Sequence, residues 1–387
     1  MIHFLYPEID FSFSKYNYLE HTFTHSDPLD CWSMEWLLDT VGLDYKNTIS
    51  TTQKSYVKLN IHFPTEYTDL QYMPNEIWET IANSDNTYLL LYQATEATPF
   101  YFWKHRWNRL KSFLIKKNIP PHKVYYISGD LNAVSNHKRH MDNYWCDINV
   151  LGINIFEMMH LFRHNANSGE NYKDIIDLHT KSEKNKNFLN LNKRMRPNKQ
   201  ALIYYIRKNN LLENNIVSNL WYESEVLSQE EFDTQYNFNE ANYDELVEWV
   251  QQRIVIDNDN DQHSDKKLYV DTKYSLVSET YTGSTVNFIT EKTYKPILMG
   301  HPFLIHGTNG TLDYLKQIGY ETFPELFDES YDTYTSSKDQ LKIIVENLKK
   351  DVIINKNVLE KCKHNQNLFL QQPTKEIVKK QLEEFLL

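Results

Sequence analysis

Residues Leu276–Gly307 have the sequence LVSETYTGSTVNFITEKTYKPILMGHPFLIHG. The apolar run at the start indicates a short buried strand, and Phe303–His306 indicates a second one. Thr290 lies between them and can begin a helix, because its hydroxyl can accept a hydrogen bond from an amide of the first turn. A strand, a helix and another strand in this order are typical of a parallel sheet. The stretch therefore predicts an α/β fold.

The first turn of this helix carries Glu291 and Lys292. Amides at a helix start, together with a lysine, bind anions, and a carboxylate beside them can accept two sugar hydroxyls. Pro296 follows closely, so we expect the helix to be kinked or restarted there. The alternative is a helix cap without any ligand.

Glycines are concentrated in the same part of the chain: five of the nine lie between Gly283 and Gly319. Gly307 and Gly310 form a GxxG turn between a predicted strand and a predicted helix, where a backbone can approach a ligand closely. The turn lacks the third glycine of a dinucleotide-binding motif and the Gly-Lys pair of a Walker loop. A tight strand-to-helix turn without a ligand is the alternative.

Composition narrows the class of protein. The chain has 387 residues and a formal net charge of −11, which disfavours a broad phosphate-binding surface but not a local basic groove. Its three cysteines suit neither a disulfide framework nor a CxxC zinc site, which favours a reducing compartment. No secretory signal is evident, and no apolar run approaches the ~20 residues that cross a bilayer. We therefore expect a cytoplasmic protein without a membrane span.

Two α/β series are separated by a polar, charged segment. Strands alternate with helices in the first half, for example from the predicted strand Thr87–Tyr92 to the helix that follows it. We predict an N-terminal domain at 1–165, a linker at 166–187, a C-terminal domain at 188–365 and a C-terminal helix at 366–387.

Charged residues follow two of the predicted strands. Arg194 and Arg196 lie in a loop between a strand and a helix. Guanidinium groups bind phosphate oxygens in pairs, so this loop suits a pyrophosphate, although a solvated loop is an equal alternative. Glu96 follows the strand Thr87–Tyr92, where a general base is expected in open α/β sheets, although a structural glutamate is the other interpretation.

Two further stretches have a functional and a plain interpretation. Trp103 and Arg106 begin a basic, aromatic segment that could bind nucleic acid, or could form an amphipathic helix whose cations face water. Asp257, Asp259 and Asp261 could hold a divalent metal beside a nucleotide, but the polar residues around them favour a solvated loop.

Together these segments resemble a sugar-nucleotide glycosyltransferase of the GT-B type, and the α1,3-fucosyltransferase-like group in particular. That group has a Val/Ile-Thr-Glu-Lys motif and then a Gly/Ala-x-Pro strand, matched here by Ile289–Lys292 and Gly300–Ile305. It also has a glutamate-containing strand upstream, matched by Glu279. A wider match, which includes Phe327–Asp332, is similar to uncharacterised proteins of marine bacteria and their phages. The close match covers about 188–332.

The resemblance implies two Rossmann-like domains that face a cleft, with the C-terminal helix packing back on the N-terminal domain. It implies an inverting transfer of a sugar from a nucleoside-diphosphate sugar to a hydroxyl acceptor, with no obligatory metal or other cofactor. Glu291 would hold the ribose hydroxyls, and Lys292 with Arg194 or Arg196 would hold the diphosphate. Glu279 would line the donor pocket. The turn at Gly307 and Gly310 would lie beneath the nucleotide.

The acceptor side matches the group less well. Glu96 would deprotonate the acceptor hydroxyl, but Ala97-Thr98-Pro99 follows where the group has Ser-Pro. The acceptor would be a glycan or a hydroxymethylated base in phage DNA, and the DNA interpretation requires the segment at Trp103 and Arg106 as a binding groove. Two alternatives remain: a metal-dependent GT-A transferase that uses the acidic run at 257–261, and a non-catalytic nucleotide- or carbohydrate-binding protein.

Overall fold

Strands and helices alternate along the chain in a computed structural model. The structure describes residues 1–5, 33–46, 48–50, 52–60, 74–97, 104–140, 145–167, 172, 174–220, 225–256, 265–283 and 286–387. The chain forms two units: the first contains Met1–Met158 and Thr374–Leu387, and the second contains Met159–Pro373. Among the described helices, none combines the length and the apolar character needed to cross a lipid bilayer.

The first unit is built on a parallel sheet. Its described strands are β1 Ile2–Leu5, β2 Tyr45–Lys46, β3 Ser55–Asn60, β4 Thr87–Gln93, β5 Val124–Ser128 and β6 Asn149–Gly152. Their order across the sheet is β2-β1-β3-β4-β5-β6. Strand β5 is buried along its whole length, and β4 is buried at every residue except Tyr88. Such continuous burial explains why these strands are apolar throughout instead of alternating with polar residues.

The second unit contains a smaller parallel sheet. Its described strands are β7 Lys186–Asn190, β8 Ile216–Val217, β9 Thr272–Ser278 and β10 Phe303–His306, in the order β10-β9-β7-β8. The register places Phe303 opposite Ser275 and His306 opposite Ser278. Both sheets are thus parallel, and helices connect the strands within each sheet, which makes the fold α/β and Rossmann-like.

The described helices connect these strands. In chain order they are α1 Met34–Val41, α2 Asn75–Asn83, α3 Lys104–Lys116, α4 Ala133–His140, α5 Phe156–Asn167, α6 Ile175–Lys181, α7 Pro197–Lys208, α8 Gln229–Gln235, α9 Tyr243–Val250, α10 Lys266–Val270, α11 Glu291–Leu298, α12 Thr311–Gln317, α13 Ser337–Leu348, α14 Lys356–Gln371 and α15 Thr374–Leu386. In the first unit, Trp107 packs edge-to-face on Trp145 and Tyr126, with ring centroids 5.1 and 5.2 Å apart. These rings are fully buried and form part of its core.

The last helix belongs to the first unit. The Tyr56 hydroxyl donates to the Leu386 carbonyl at 2.8 Å, and the Phe385 ring lies 5.1 Å from the Tyr125 ring. At the start of α15, the Thr374 amide donates to the Glu157 carboxylate at 2.9 Å. Helix α15 is therefore held at both of its ends by side chains of the first unit.

The unit boundaries differ from those predicted. The segment 166–187, which the sequence indicated as a linker, contains α6 and lies in the second unit. Within this segment Ile175 and His179 are buried, and His179 Nε2 lies 2.9 Å from the Met299 carbonyl oxygen. The chain returns to the first unit at Thr374, after α14, and not at residue 366. A polar average over the segment conceals one buried helix face.

Candidate functional site

The loops that follow β7 and β9 diverge at the carboxyl edge of the second sheet. These strands are neighbours, but β7 leads through α7 to β8 on one side, and β9 leads through α11 to β10 on the other. Open α/β sheets bind ligands where neighbouring connections diverge in this way. Arg194 and Arg196 lie in the first of these loops, and Glu279 begins the second. The topology therefore brings these predicted residues to one edge.

Glu279 ties the end of β9 to the start of α11. Its side chain is buried, and its carboxylate accepts hydrogen bonds from the Thr290 amide at 3.0 Å, the Thr290 hydroxyl at 2.7 Å and the Thr293 hydroxyl at 2.7 Å. Protein donors therefore occupy both carboxylate oxygens. The structure gives Glu279 a positioning role at this edge.

Thr290 is the N-cap of α11, which confirms the prediction from the sequence. Its hydroxyl accepts from the Lys292 amide at 3.4 Å and from Lys292 Nζ at 2.9 Å. The expected restart at Pro296 does not occur, since α11 runs from Glu291 to Leu298 with the proline inside it. A proline there removes only the bond to the Lys292 carbonyl, and the buried ring packs in the core.

Lys292 is held between carboxylates but keeps a solvent-facing side. Its Nζ lies 3.4 Å from Glu291 Oε1 and 3.9 Å from Glu279 Oε2, and 28% of the side chain is exposed. Burial lowers the pKa of Lys292, but the two glutamates outweigh burial and raise it. The ammonium is therefore charged at neutral pH and can meet an anion.

Glu291 is ionised beside it. Burial raises the pKa of Glu291, but Lys292 and Lys295 outweigh burial and bring it down to about 2. About a third of the side chain is exposed, at 32%. An ionised, accessible carboxylate can only accept hydrogen bonds, which suits a pair of hydroxyl groups.

Arg196 stands at the start of α7, but its side chain does not cap the helix. It is the N-cap residue, its side chain makes no capping hydrogen bond, and Pro197 follows at the first helical position. Its guanidinium carbon lies 5.8 Å from the centroid of the Tyr281 ring. The positive end of the α7 dipole is thus combined with a cation at this edge of the sheet. Arg194, in the same loop, is exposed.

Lys199 is a site residue that the sequence analysis missed. It lies in the first turn of α7, is 4% exposed, and its ammonium has neither a hydrogen bond nor an ion pair with any residue that the structure describes. Burial, together with repulsion from Lys292 and Arg196, lowers the pKa of Lys199 to about 7. A signal was available, because Lys199 follows Arg196 by three residues and so lies on the same helix face.

The glycine turn is closed by the protein itself. Gly310 has a φ of 80°, which favours glycine, and it caps α12. The Asp332 carboxylate accepts from the Leu312 amide at 3.0 Å and from the Asp313 amide at 3.2 Å. A methyl group at Gly307 would lie 3.5 Å from the Glu279 side chain. The amides at the start of α12 are therefore occupied, and a methyl group at Gly307 would be crowded by Ile305 Cγ2 and Thr311 Oγ1, each 3.3 Å away.

The remaining predicted residues lie elsewhere. Glu96 is half-buried in the turn after β4 in the first unit, where its carbonyl accepts from the Gly129 amide at 2.9 Å. Arg106 lies in α3. Trp103 and the aspartates at 257, 259 and 261 lie outside the described residues. Within the part of the chain that the structure describes, no group of three or more His, Cys, Asp or Glu side chains could hold a metal ion.

The cavity beside Lys292 is too small to enclose a nucleotide. Lys292 and Ser278 line a cavity of about 50 Å³, which holds a few water molecules at most. A pocket of about 680 Å³ lies at the other end of α7, lined by residues that include Arg207 and Trp249 and by none of the cations described above. A ligand of the cations would therefore lie over the edge of the sheet and not inside it.

Comparisons with known proteins leave the family open. No model of a protein family matches the chain, and no curated protein matches it. Among solved structures, the chain is similar to the N-terminal domain of trehalose-6-phosphate phosphatase from Candida albicans, with 11% sequence identity and a TM-score of 0.39. That alignment covers 90% of this chain and 73% of the other. A similarity at this level carries no argument about function.

Proposed function

We propose that this chain is a glycosyltransferase that transfers a sugar from a nucleoside-diphosphate sugar to a hydroxyl acceptor. One observation carries the proposal: Arg196, Lys199 and Lys292 gather beside the ionised Glu291 where the connections from β7 and β9 diverge. Cations beside a carboxylate suit a ligand that has phosphates and, next to them, a sugar with free hydroxyls.

In this proposal the diphosphate binds to Lys292, Arg196 and the uncapped start of α7. The ribose hydroxyls donate to Glu291. Glu279 and Thr290 hold α11 so that Glu291 and Lys292 face the ligand together. This assignment follows from hydrogen-bonding capacity, because an ionised carboxylate only accepts and an ammonium only donates.

The cations have a catalytic role in this scheme. When the bond between the sugar and the diphosphate breaks, negative charge develops on the leaving nucleoside diphosphate. Lysine and arginine fixed beside it stabilise that charge more than they stabilise the bound donor. Glu96, which follows β4 at the carboxyl edge of the first sheet, is the proposed base that removes the proton of the acceptor hydroxyl in an inverting transfer.

The first prediction concerns Lys292. Substitution Lys292→Ala removes a charged donor, and a hydrogen bond to a charged group contributes about 1.5–3 kcal/mol, so affinity for nucleoside diphosphates should fall by roughly ten- to a hundredfold. A thermal-shift screen of GDP- and UDP-sugars first selects the base, and calorimetry with the corresponding free nucleoside diphosphate then measures the affinity.

The matched control is Lys316→Ala, which removes a half-exposed lysine of the second unit that pairs with Glu329 at 3.0 Å. Unchanged nucleotide affinity in Lys292→Ala would show that the donor-site assignment is wrong. Binding without transfer or hydrolysis of the sugar would favour a non-catalytic binding protein. Loss of transfer in EDTA would favour a metal-dependent enzyme that uses the run at 257–261.

A further inference from the structure

Lys199 is a buried lysine that forms no ion pair with any residue that the structure describes. A buried ammonium without a partner is costly, because nothing replaces the water it has lost. The charged groups that face it are two cations, Lys292 and Arg196, and two carboxylates, Glu279 and Glu291. None of them forms an ion pair or a hydrogen bond with Lys199 in the part of the chain that the structure describes.

Both carboxylates are engaged elsewhere. Glu279 accepts from Thr290 and Thr293, as described above, and Glu291 Oε1 lies 3.4 Å from Lys292 Nζ. Both carboxylates still attract Lys199, but the repulsion from Lys292 and Arg196 is the stronger effect. An anion bound at this edge would supply negative charge and would accept hydrogen bonds from the ammonium, which donates to none of the residues that the structure describes.

We propose that Lys199 is a third binding residue for the phosphate groups of the ligand, and that its amine takes up a proton from solvent as the anion binds. The proposal deepens the proposed function and rests on it for the identity of the ligand as a nucleoside diphosphate. The proton goes to Nζ, so that a neutral amine becomes an ammonium with three N–H donors. No bond of the ligand is broken in this step.

The uptake follows from electrostatics. Burial and the two neighbouring cations lower the pKa of Lys199 to about 7, so the free protein carries a mixture of amine and ammonium at neutral pH. A bound dianion favours the ammonium and raises the pKa. Linkage then requires the affinity for the anion to fall as the pH rises above about 7, by up to about tenfold per pH unit.

Sulfate is the probe for the second prediction, because its charge does not change between pH 6 and 9. Sulfate is titrated into the full chain at constant ionic strength, and the dissociation constant is obtained from the rise in Tm at each pH. We expect the dissociation constant to rise above pH 7 in the unsubstituted chain. In Lys199→Arg it should be independent of pH, since arginine remains charged.

Substitution Lys199→Met separates binding from structure. Removing a buried, unpaired ammonium should leave the ligand-free Tm unchanged or higher, while the Tm shift with sulfate is lost. The matched control is Lys208→Met in the last turn of the same helix, where Nζ donates to the Asn239 carbonyl at 3.0 Å and to the Glu240 carbonyl at 2.7 Å. That variant should keep the sulfate response and its pH dependence.

The outcomes separate this inference from the proposed function. If Lys199→Arg keeps the pH dependence, or Lys199→Met keeps the affinity for sulfate, the role of Lys199 is wrong even where nucleotides bind. If sulfate behaves as expected but no nucleoside diphosphate competes with it, the role of Lys199 stands and the glycosyltransferase proposal fails.

Discussion

Thr290 connects three groups of the candidate site through one side chain. Its hydroxyl donates to Glu279 and accepts from the amide and from Nζ of Lys292. Thr293 shares only the first of these links, through a hydroxyl that donates to the same carboxylate at 2.7 Å. Both threonines therefore hold Glu279 in place, but only Thr290 also positions Lys292.

The third prediction compares Thr290→Val with Thr293→Val. Each loses a hydrogen bond to a buried carboxylate, so each should destabilise the protein by about 1–3 kcal/mol. Thr290→Val also loses the N-cap, which adds roughly 0.5–2 kcal/mol, and it frees Lys292 Nζ. Denaturant unfolding measures the loss of stability, and the affinity for sulfate measures the effect of freeing Lys292 Nζ.

Only Thr290→Val should weaken sulfate binding. Equal sulfate affinity in the two variants would mean that the cap contributes to stability alone and does not position Lys292. Valine matches threonine in shape, so neither change creates a cavity, and the difference between the variants reports the hydroxyl.

At the scale of the element, the sequence predicts what is encoded locally. The cap at Thr290 and the strand Phe303–His306 were both predicted correctly, because each depends on residues that are close together in the chain.

Contacts between distant residues were not predictable in this way. The carboxylate of Asp332, twenty residues further along the chain, accepts a hydrogen bond from the Leu312 amide at the start of α12. The sequence around Gly310 does not show that this amide already has an acceptor. Glu279 meets Thr290 and Thr293 across the loop between β9 and α11, which hid its positioning role. The burial of Lys199 was not predictable, because it depends on packing that periodicity does not report.

Helix α15 gives the fourth prediction, since one of its faces is buried in the first unit. Leu382 is fully buried, whereas Ile377 on the same helix is 41% exposed. Leu382→Ala should cost about 2–5 kcal/mol through lost burial and the cavity left behind, and Ile377→Ala should cost under about 1 kcal/mol. Denaturant unfolding followed by tryptophan fluorescence measures both. Equal effects would show that α15 is not held by this face.

At the scale of the whole molecule, buried histidines couple stability to pH. His179 and His301 stack with ring centroids 5.3 Å apart, at the opposite edge of the second sheet from the candidate site. Burial, and then Lys184, lowers the pKa of His179 to about 4. Burial, and then His179, lowers the pKa of His301 well below its ordinary value. Burial alone lowers the pKa of His306 to about 3.

These shifts fix the sign of the fifth prediction. An unfolded histidine has a pKa of about 6.5, so below that pH the unfolded chain binds protons that the folded chain does not. The free energy of unfolding should be constant just above pH 6.5 as far as these groups are concerned, and should fall steadily from pH 6.5 towards pH 4. Urea unfolding at a series of pH values measures the slope.

His306→Leu tests the origin of that slope. Neither ring nitrogen of His306 has a hydrogen-bond partner among the described residues, so a leucine should not lower stability at pH 7. Below pH 6.5 the variant should take up one proton fewer on unfolding. Its free energy of unfolding should therefore change with pH less steeply, by about 1.4 kcal/mol per pH unit. The control, His364→Gln, removes an exposed histidine of α14 instead. If His306→Leu keeps the full slope, acid sensitivity arises elsewhere, and the neutral state of the buried imidazole is not what ties this unit to pH.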